Sequence, residues 1–501
     1  MAATEHQPEP APAPAPSTTN APAPPLGMLD QVLHERRAVD EEHRREAVSS
    51  IGTLLRQIDR GTIKLTANMR MEITRRIGEI DSAIEKQLNR VLHHADFQKL
   101  EATWRGLHYL VRQAAEAGPE VRLQVLNAPK SDLIRDLAPG REFDQSALWN
   151  RVYEREYGTL GGKPYGVLVG DYEFSRSPQD VELLKRIGGV AAGAHAPFLA
   201  AASPGLFGWE SFEEEADTNK LEKLFRGSEY TRWRAFRESD EARYVGLCMP
   251  RFLLRLPYGR ETIPVDGFDF EEDVDGRNHR KYLWGNAAYA LAGRLIESFA
   301  DYGWYSAIRG TEGGGLVGDL PIHNFKTDLG PFAAKCPTEI ELSDRREKEY
   351  SDLGFIPLVH EKDSDHAVFF GAQSCHKPAK YTTDAANANA RLGAQLPYIL
   401  ATSRIAHCLK AMARDKVGSY TSRESCEFEL NEWIRRLVTE EAVDQAIMAE
   451  RPFREARIDV TEVPGKPGCY AATAYLRPHY MLDELTISLR LVAELPASVK
   501  S

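Results

Sequence analysis

The glycine-rich run RGTEGGGLVGDLP, from Arg309 to Pro321, has the composition of a loop that presents backbone amides to phosphate. Such loops need a Lys-Ser or Lys-Thr at the mouth of a helix to hold phosphate and metal; neither follows here, and no helical pattern begins. Glu271, Asp273, Asp275 and Gly276 fall on positions one, three, five and six of a calcium loop, but Tyr282 stands where the bidentate Glu belongs, so a solvated acidic loop is expected. Cys375 beside His376 pairs a nucleophile with a base, although neighbours in a strand face opposite ways and do not readily share a proton. His93, His94, His108, His360, His366, His376, His407 and His479 form no H-x-x-x-H or H-E-x-x-H spacing, and there is no G-x-S-x-G elbow. The expectation is a chain with no catalytic residue, no bound metal and no cofactor.

The elements that would carry such chemistry are better defined than the chemistry. In YGVLVGDYEFSRSPQDVELLKRIGGVAAGAHAPFLAAASPGLFG, Tyr165 to Val169 reads as a buried strand, and Ser177, Pro178 and Asp180 supply a helix N-cap, a first-turn proline and an N3 acid. The helix carries Val181, Leu184 and Ile187 on one side, Gly188, Gly189 and Gly193 permit close approach, and a second apolar run starts at Pro197. This is a strand–helix–strand unit whose loop, GDYEFSRSP, lacks any phosphate signature, which favours a packing role. Further strands are expected at Val121 to Leu126 and Arg251 to Leu256, with helices at Leu283 to Tyr302, Ser343 to Asp352, Asp384 to Arg414 (interrupted at Pro397) and Cys426 to Val438.

Both ends of the chain differ from this mixed body. Met1 to Gly27 is a Pro/Ala-rich tract expected to be disordered. Leu26, Met28, Leu29, Val32 and Leu33 form a short amphipathic stretch, followed by a second apolar stripe at Ile51, Leu54, Leu55 and Ile58. Ile73, Ile77, Ile80, Ile84, Leu88 and Val91 then recur in steps of three and four, and Phe97, Leu100, Trp104, Leu107 and Val111 repeat that spacing. Two readings stay open for these helices: an intramolecular hairpin, or a surface that receives a partner's helices. At the other end Ile458 and Val460 alternate with polar residues, Pro464 to Gly468 makes a turn, and Tyr470 to Leu476 returns. The last strand alternates Ile487, Leu489 and Leu491 with Thr486, Ser488 and Arg490; it either closes its own meander or adds to a neighbour's sheet.

Composition excludes several classes of function. Lys plus Arg total 63 against 74 Asp plus Glu, a net charge of -11, which disfavours indiscriminate binding to nucleic acid. Six cysteines without C-x-x-C spacing fit reduced thiols in a cytoplasmic protein. There is no signal-peptide pattern, and the most apolar run, Ile187 to Ala202, is broken by His195 and Pro197, so membrane insertion is not expected.

The chain resembles the large subunit of the type VI secretion contractile sheath, the TssC or VipB family, over nearly everything beyond the tail. The resemblance is carried by FQKLEATWRGLHYLV at Phe97, YGVLVGDYEFSRSPQDVELL at Tyr165, PRFLLRLPYG at Pro250, YLWGNAAYALAGRL at Tyr282, AIRGTEGGGLVGDLP at Ala307 and SDRREKEYSDLGFIPLVH at Ser343. It continues through KYTTDAANANARLGAQLPYILATSRIAHCLKAMARDKVGS at Lys380 and RPHYMLDELTISLRLVAELP at Arg477.

What the resemblance implies is a structural, cytoplasmic protein that pairs with a small sheath subunit and polymerises in six-fold helical symmetry around an inner tube. The sheath is built on a baseplate and contracts to drive tube and effectors into a target cell. The family's intersubunit strand maps onto Thr486, Ile487, Ser488, Leu489, Arg490, Leu491 and Val492, and its small-subunit contact helices onto the stripes from Ile73 to Val111. The contact for the recycling ATPase, ClpV in relatives, maps onto LGMLDQVL, Leu26 to Leu33. The expected fold class is mixed α/β: a disordered tail at 1–27, a helical segment at 28–117, an α/β body at 118–452, and antiparallel strands at 453–501 available for intersubunit β-augmentation. The competing reading is a cytosolic α/β enzyme with an unrecognised pocket.

Overall fold

The structure is a computed structural model that describes Ser49, Gly52, Thr53, Arg56, Arg60 and residues 69–479, apart from 141, 160, 218–220, 328–329, 331, 418–421, 441–443 and 466–468. The Pro/Ala-rich tract, the expected ATPase contact at Leu26 to Leu33, the stripe at Ile51, Leu54, Leu55 and Ile58, and the expected intersubunit strand Thr486 to Val492 all lie outside the described residues. Two compact units divide between Ala83 and Ile84, within one continuous helix, α1 (Met69–Leu92). In the second unit α2 (Ala95–Ala117) follows after His93 and His94, and His94 caps it, with Nδ1 accepting from the Asp96 amide at 3.3 Å.

The body is built on a parallel sheet. After β1 (Leu168–Phe174), α3 (Pro178–Ala194) crosses to β2 (Phe198–Ala202); a chain of short helices leads to β3 (Val245–Met249), and β4 (Ile356–Pro357) completes the order β1-β2-β3-β4. Between β3 and β4 the chain forms α4 (Ala287–Tyr302). Strand periodicity divides the core: Phe198, Ala200 and Ala202 turn to one side with Val181, Leu184 and Ile187 of α3, whereas Leu199 turns to the other with Ala288, Leu291 and Leu295 of α4. Helices therefore cover both faces, as a parallel sheet requires, and every residue of β2 and β3 is buried.

The cap of α3 forms as its sequence dictates. Ser177 Oγ accepts from the Asp180 amide at 3.2 Å, Pro178 opens the first turn, and the Asp180 carboxylate in turn accepts from the Ser175 amide at 2.7 Å. The glycines act as close contacts: a Cβ on Gly188 would press on the Glu241 carbonyl, and one on Gly193 on the Trp149 ring.

Several expected elements shift. β1 begins at Leu168, where pairing with Phe198 starts, and runs to Phe174, so all of GDYEF is strand and the connection shrinks to Ser175 through Ser177. No described strand pairs with Val121 to Leu126; Leu123, Val125 and Leu126 are exposed, because β-forming side chains without a neighbouring ladder stay irregular. Arg251 to Leu256 contributes only the pair Phe252–Leu253, joined to Trp284–Gly285; that pairing delays α4 to Ala287, capped by Asn286. The helix expected over Asp384 to Arg414 is two, Asp384–Leu392 and α5 (Leu396–Asp415), with Pro397 in the first turn of α5 where its missing N–H is harmless. The helix at Asp344–Asp352 forms but is not wholly solvated, since Tyr350 is fully buried, and Ser343 makes no side-chain cap.

At the C-terminal end α6 (Arg423–Arg435) leads to an antiparallel hairpin, β5 (Phe453–Glu462) with β6 (Tyr470–Pro478). Ile458 and Val460 turn inward against Ile405 of α5 and Ile434 of α6, a third core separate from the two that flank the parallel sheet.

Candidate assembly interface

The two N-terminal helices present apolar residues that nothing among the described residues covers. Along α1, Ile73, Ile77, Ile80, Ile84, Leu88 and Val91 are all exposed, Ile80 to 58 %. On α2, Leu100, Trp104 and Val111 are exposed, Trp104 to 64 %, while Phe97 and Leu107 are half-buried. Within the second unit, no described residue covers Ile84, Leu88, Val91, Leu100, Trp104 or Val111.

α2 has a second face, which explains why it is held so that the first remains free. Gly106 sits against the Tyr289 ring of α4, closely enough that a Cβ there would overlap the ring. Tyr109 fills the space above Gly293 and meets Phe252 edge to face, 6.2 Å between centroids, and Leu110 is buried. Thr103 Oγ1 donates to Asp171 at 2.5 Å. Thr103, Gly106 and Leu110 are spaced i, i+3, i+7, one helical face, while Leu100, Trp104 and Val111 lie on another.

Charge pins the junction of α1 and α2. The buried Arg255 guanidinium donates through Nε to Glu101 at 2.7 Å and through a terminal nitrogen to Glu272 at 2.6 Å. Glu272 also accepts from the Tyr258 amide at 2.9 Å and lies 3.3 Å from His93 Nε2, and Arg105 adds a second cation to Glu101 at 2.7 Å. Burial pushes the Glu272 carboxyl up, but the hydrogen bonds from His93 and Arg255 outweigh it and hold its pKa at about 2. Two carboxylates and two guanidiniums thus neutralise one another where either alone would be costly. Asn89 of α1 accepts from the Asp273 amide at 2.8 Å and donates to the Glu271 carbonyl, and Gln98 of α2 donates to the Arg280 carbonyl at 3.0 Å. The calcium-like loop is therefore a clamp on the helix junction: Asp273 also pairs with Lys281 at 2.6 Å, and Asp275 accepts from the amides of Arg277 and Asn278. Glu101, Arg255 and Glu272 carry no signal in the sequence, where only the interleaving of Thr103, Gly106 and Leu110 with the exposed stripe marks a second face.

The other chemical candidates are occupied structurally. Gly310 donates its amide to the Phe369 carbonyl at 2.7 Å and Gly315 to Gly310 at 2.9 Å, so these amides close a turn instead of facing a ligand. The Cys375 thiol is fully buried, which pushes its pKa up to about 12 against the opposing pull of Arg237, and His376 Nδ1 is spent on the Ser239 carbonyl at 3.0 Å. That pair is inert. A cavity of about 620 Å³ is lined by Glu261, Glu271, Glu272 and His323, but Glu272 is bound to Arg255 and His323 to Tyr282 at 2.6 Å. Among the described residues no group of three or more His, Cys, Asp or Glu is placed to hold a metal ion, all six cysteines are free, and no helix is long and apolar enough to cross a membrane.

Comparison with known proteins agrees with a structural role. Residues 74–376 match the family described as EvpB/VC_A0108, tail sheath N-terminal domain, and residues 385–495 match EvpB/VC_A0108, tail sheath gpW/gp25-like domain. The chain is 46% identical over 462 residues to the type VI secretion system sheath protein TssC1 of Pseudomonas aeruginosa, covering 91% of this chain and 93% of the relative. Among solved structures it is similar to a chain of the anti-feeding prophage baseplate (9% identity, TM-score 0.36, 74% of this chain and 83% of that one). A chain of that particle's contracted helical sheath is also similar (10% identity, TM-score 0.28, 62% and 66%).

Proposed function

The chain belongs to the VipB tail sheath family and is a type VI secretion sheath subunit, a structural and not an enzymatic component; from that premise we propose that α1 and α2 are the surface through which it takes up a small sheath subunit. The observation that carries this reading is the pairing of opposites on adjoining faces: an uncovered stripe from Ile73 to Val111, and an anchored face locked by Arg255, Glu272 and Glu101. A helix held this firmly at its junction, with large apolar side chains in water, is suited to bind another amphipathic helix.

The resulting pairs polymerise as a six-fold helical sheath around an inner tube, on a baseplate, in the cytoplasm. Contraction follows from rigid protomers shifting between two packings, with the strand Thr486 to Val492 linking neighbours and Leu26 to Leu33 offered to a recycling ATPase. The strict alternation of Ile487, Leu489 and Leu491 with polar residues supports the linking role.

Co-expression with the small sheath subunit of the same system tests the helix surface. Wild-type chain is expected to co-purify with it and form tubules visible by electron microscopy, and Ile80→Asp to lose at least tenfold in capture by placing a charge in the apolar seam. A monodisperse monomer indifferent to the small subunit, or undiminished capture by Ile80→Asp, overturns the reading.

A further inference from the structure

His407, Lys410 and Arg414 recur at i, i+3 and i+7 along α5 and line one cavity of about 290 Å³, with Tyr153, Tyr157, Pro164 and Ala411 completing its wall. The tyrosines come from the helical stretch 147–157, whose middle, Asn150–Glu154, is a π-helical turn, a distortion frequent at functional sites. Tyr153 stacks on Trp149 at 4.2 Å, and the Tyr157 hydroxyl donates to the Ala194 carbonyl at 2.8 Å. The walls are thus fixed before any ligand arrives.

The cavity holds positive charge without a counter-charge. No acidic residue lines it, and among the described residues Lys410 makes no ion pair; its ammonium lies 5.1 and 4.6 Å from the ring centroids of Tyr153 and Tyr157. One terminal nitrogen of Arg414 donates to the carbonyls of Tyr157 and Thr159, both at 3.0 Å, which fixes the guanidinium, while its buried Nε has no acceptor among the described residues. His407 is 4% exposed, and its Nε2 lies 3.1 Å from the Ala194 carbonyl. A carbonyl can only accept, so Nε2 carries the proton and Nδ1, buried and unpartnered, is a bare lone pair. Around His407 stand His195, Tyr157, Arg404 and Lys410, with no carboxylate among them; burial, opposed by the bond to the Ala194 carbonyl and joined by His195, Arg404 and Lys410, lowers its pKa to about 4.

An anion supplies what is missing. A carboxylate would accept from Arg414 Nε and from the Lys410 ammonium, and one proton taken from solvent onto His407 Nδ1 would convert that lone pair into a third donor. The volume is at the lower end of the roughly 300–1,000 Å³ of ligand pockets, enough for an acidic side chain and too small for a nucleotide. The chain itself carries a net charge of -11, so a neighbouring copy readily presents Asp or Glu. We propose that this cavity is a carboxylate-binding site, filled in the assembled sheath by an Asp or Glu side chain of a second copy of this chain. Its occupant rests on the sheath reading; its chemistry does not.

Glutarate serves as the probe, titrated calorimetrically into the full chain. Binding is expected to be tighter at pH 6 than at pH 8, with buffer-dependent heat from proton uptake, and Lys410→Met is expected to weaken it about tenfold or more with its melting temperature unchanged. In the second arm, glutarate is expected to inhibit assembly of wild-type particles, whereas Lys410→Met assembles poorly and ignores glutarate. No glutarate binding to the wild-type chain, or phosphate bound equally well, overturns the carboxylate site. Glutarate binding with assembly indifferent both to glutarate and to Lys410→Met overturns the second-copy occupant in favour of a free small anion. Failure of the wild type to form any particle refutes the sheath reading instead, and the calorimetric arm still decides the site.

Discussion

In α4, Ala287, Ala288, Tyr289, Ala290, Leu291, Ala292 and Leu295 are all buried, whereas no described residue of α1 is buried, although Ile73, Ile77, Ile80, Ile84 and Leu88 repeat at helical spacing. The difference lies in what surrounds the stripe. α4 is apolar nearly all round and carries few charges, so it can be stable only inside its own fold, between the parallel sheet and α2. α1 interleaves its isoleucines with Arg75, Arg76, Glu79, Glu85, Lys86 and Arg90, so one narrow seam is apolar and the rest is content in water. Apolar spacing alone says that a face will be covered; the width of the face says whether the chain covers it itself.

That contrast can be broken where the two regions join. Arg255→Met is expected to have the largest effect, because it strands the buried Glu272 without its guanidinium and leaves Glu101 only Arg105: about 3–5 kcal/mol lost in urea unfolding. A loss below about 1 kcal/mol would show that the anchor is not the charge network. Gly106→Leu drives a side chain into the Tyr289 ring and is expected to cost about 1–3 kcal/mol by overpacking. Wild-type stability in that variant would mean that α2 is free to move away from α4.

Acid probes the body more gently. His195 and His407 both have folded pKa values of about 4, lowered from 6.5 first by burial and then by positive neighbours. Neither is charged above pH 6.5, so stability is full there; between 6.5 and 4 the unfolded chain takes up protons that the folded one refuses, and stability falls with pH. His195→Asn keeps a residue that tolerates the left-handed backbone at φ 52 and is expected to flatten that slope in pH-dependent melting. An unchanged slope would assign it to other groups. Below that range Glu272 protonates toward its pKa of about 2, and its contribution is lost in turn. Ile80→Asp marks the small end of the series: the isolated chain is expected to stay within about 0.5 kcal/mol of wild type, since the residue gives up no packing of its own.

Much of the body was legible because its signals are local. Ser177, Pro178 and Asp180 announced the start of α3, and the alternation around Ile458 and Val460 announced the hairpin. The length of β1 was not, because Gly170, Asp171 and Glu173 look like loop residues until Phe198 to Ala202 is placed beside them. Val121 to Leu126 misled in the opposite sense, having strand composition and no ladder. The helix anchor was the least legible part: Glu101 meets Arg255, and His93 meets Glu272, across more than a hundred residues of chain, and such charge pairs leave no periodic trace. The basic cavity left a trace, His407, Lys410 and Arg414 on one face of α5, but its tyrosine walls come from a distant helical stretch.

The order of the parallel sheet also bears on how the protein is made. β3 acquires its second neighbour only when β4 arrives, roughly a hundred residues later in the chain, and at about 5–20 residues per second that is about 5–20 s of synthesis. During that interval the nascent polypeptide holds β3, all five of whose residues end up buried, with one ladder unpaired, and α4 emerges before the sheet it must cover is complete. Ribosome pausing or chaperone depletion within this window would therefore favour aggregation of the newborn chain, well before any question of sheath assembly arises.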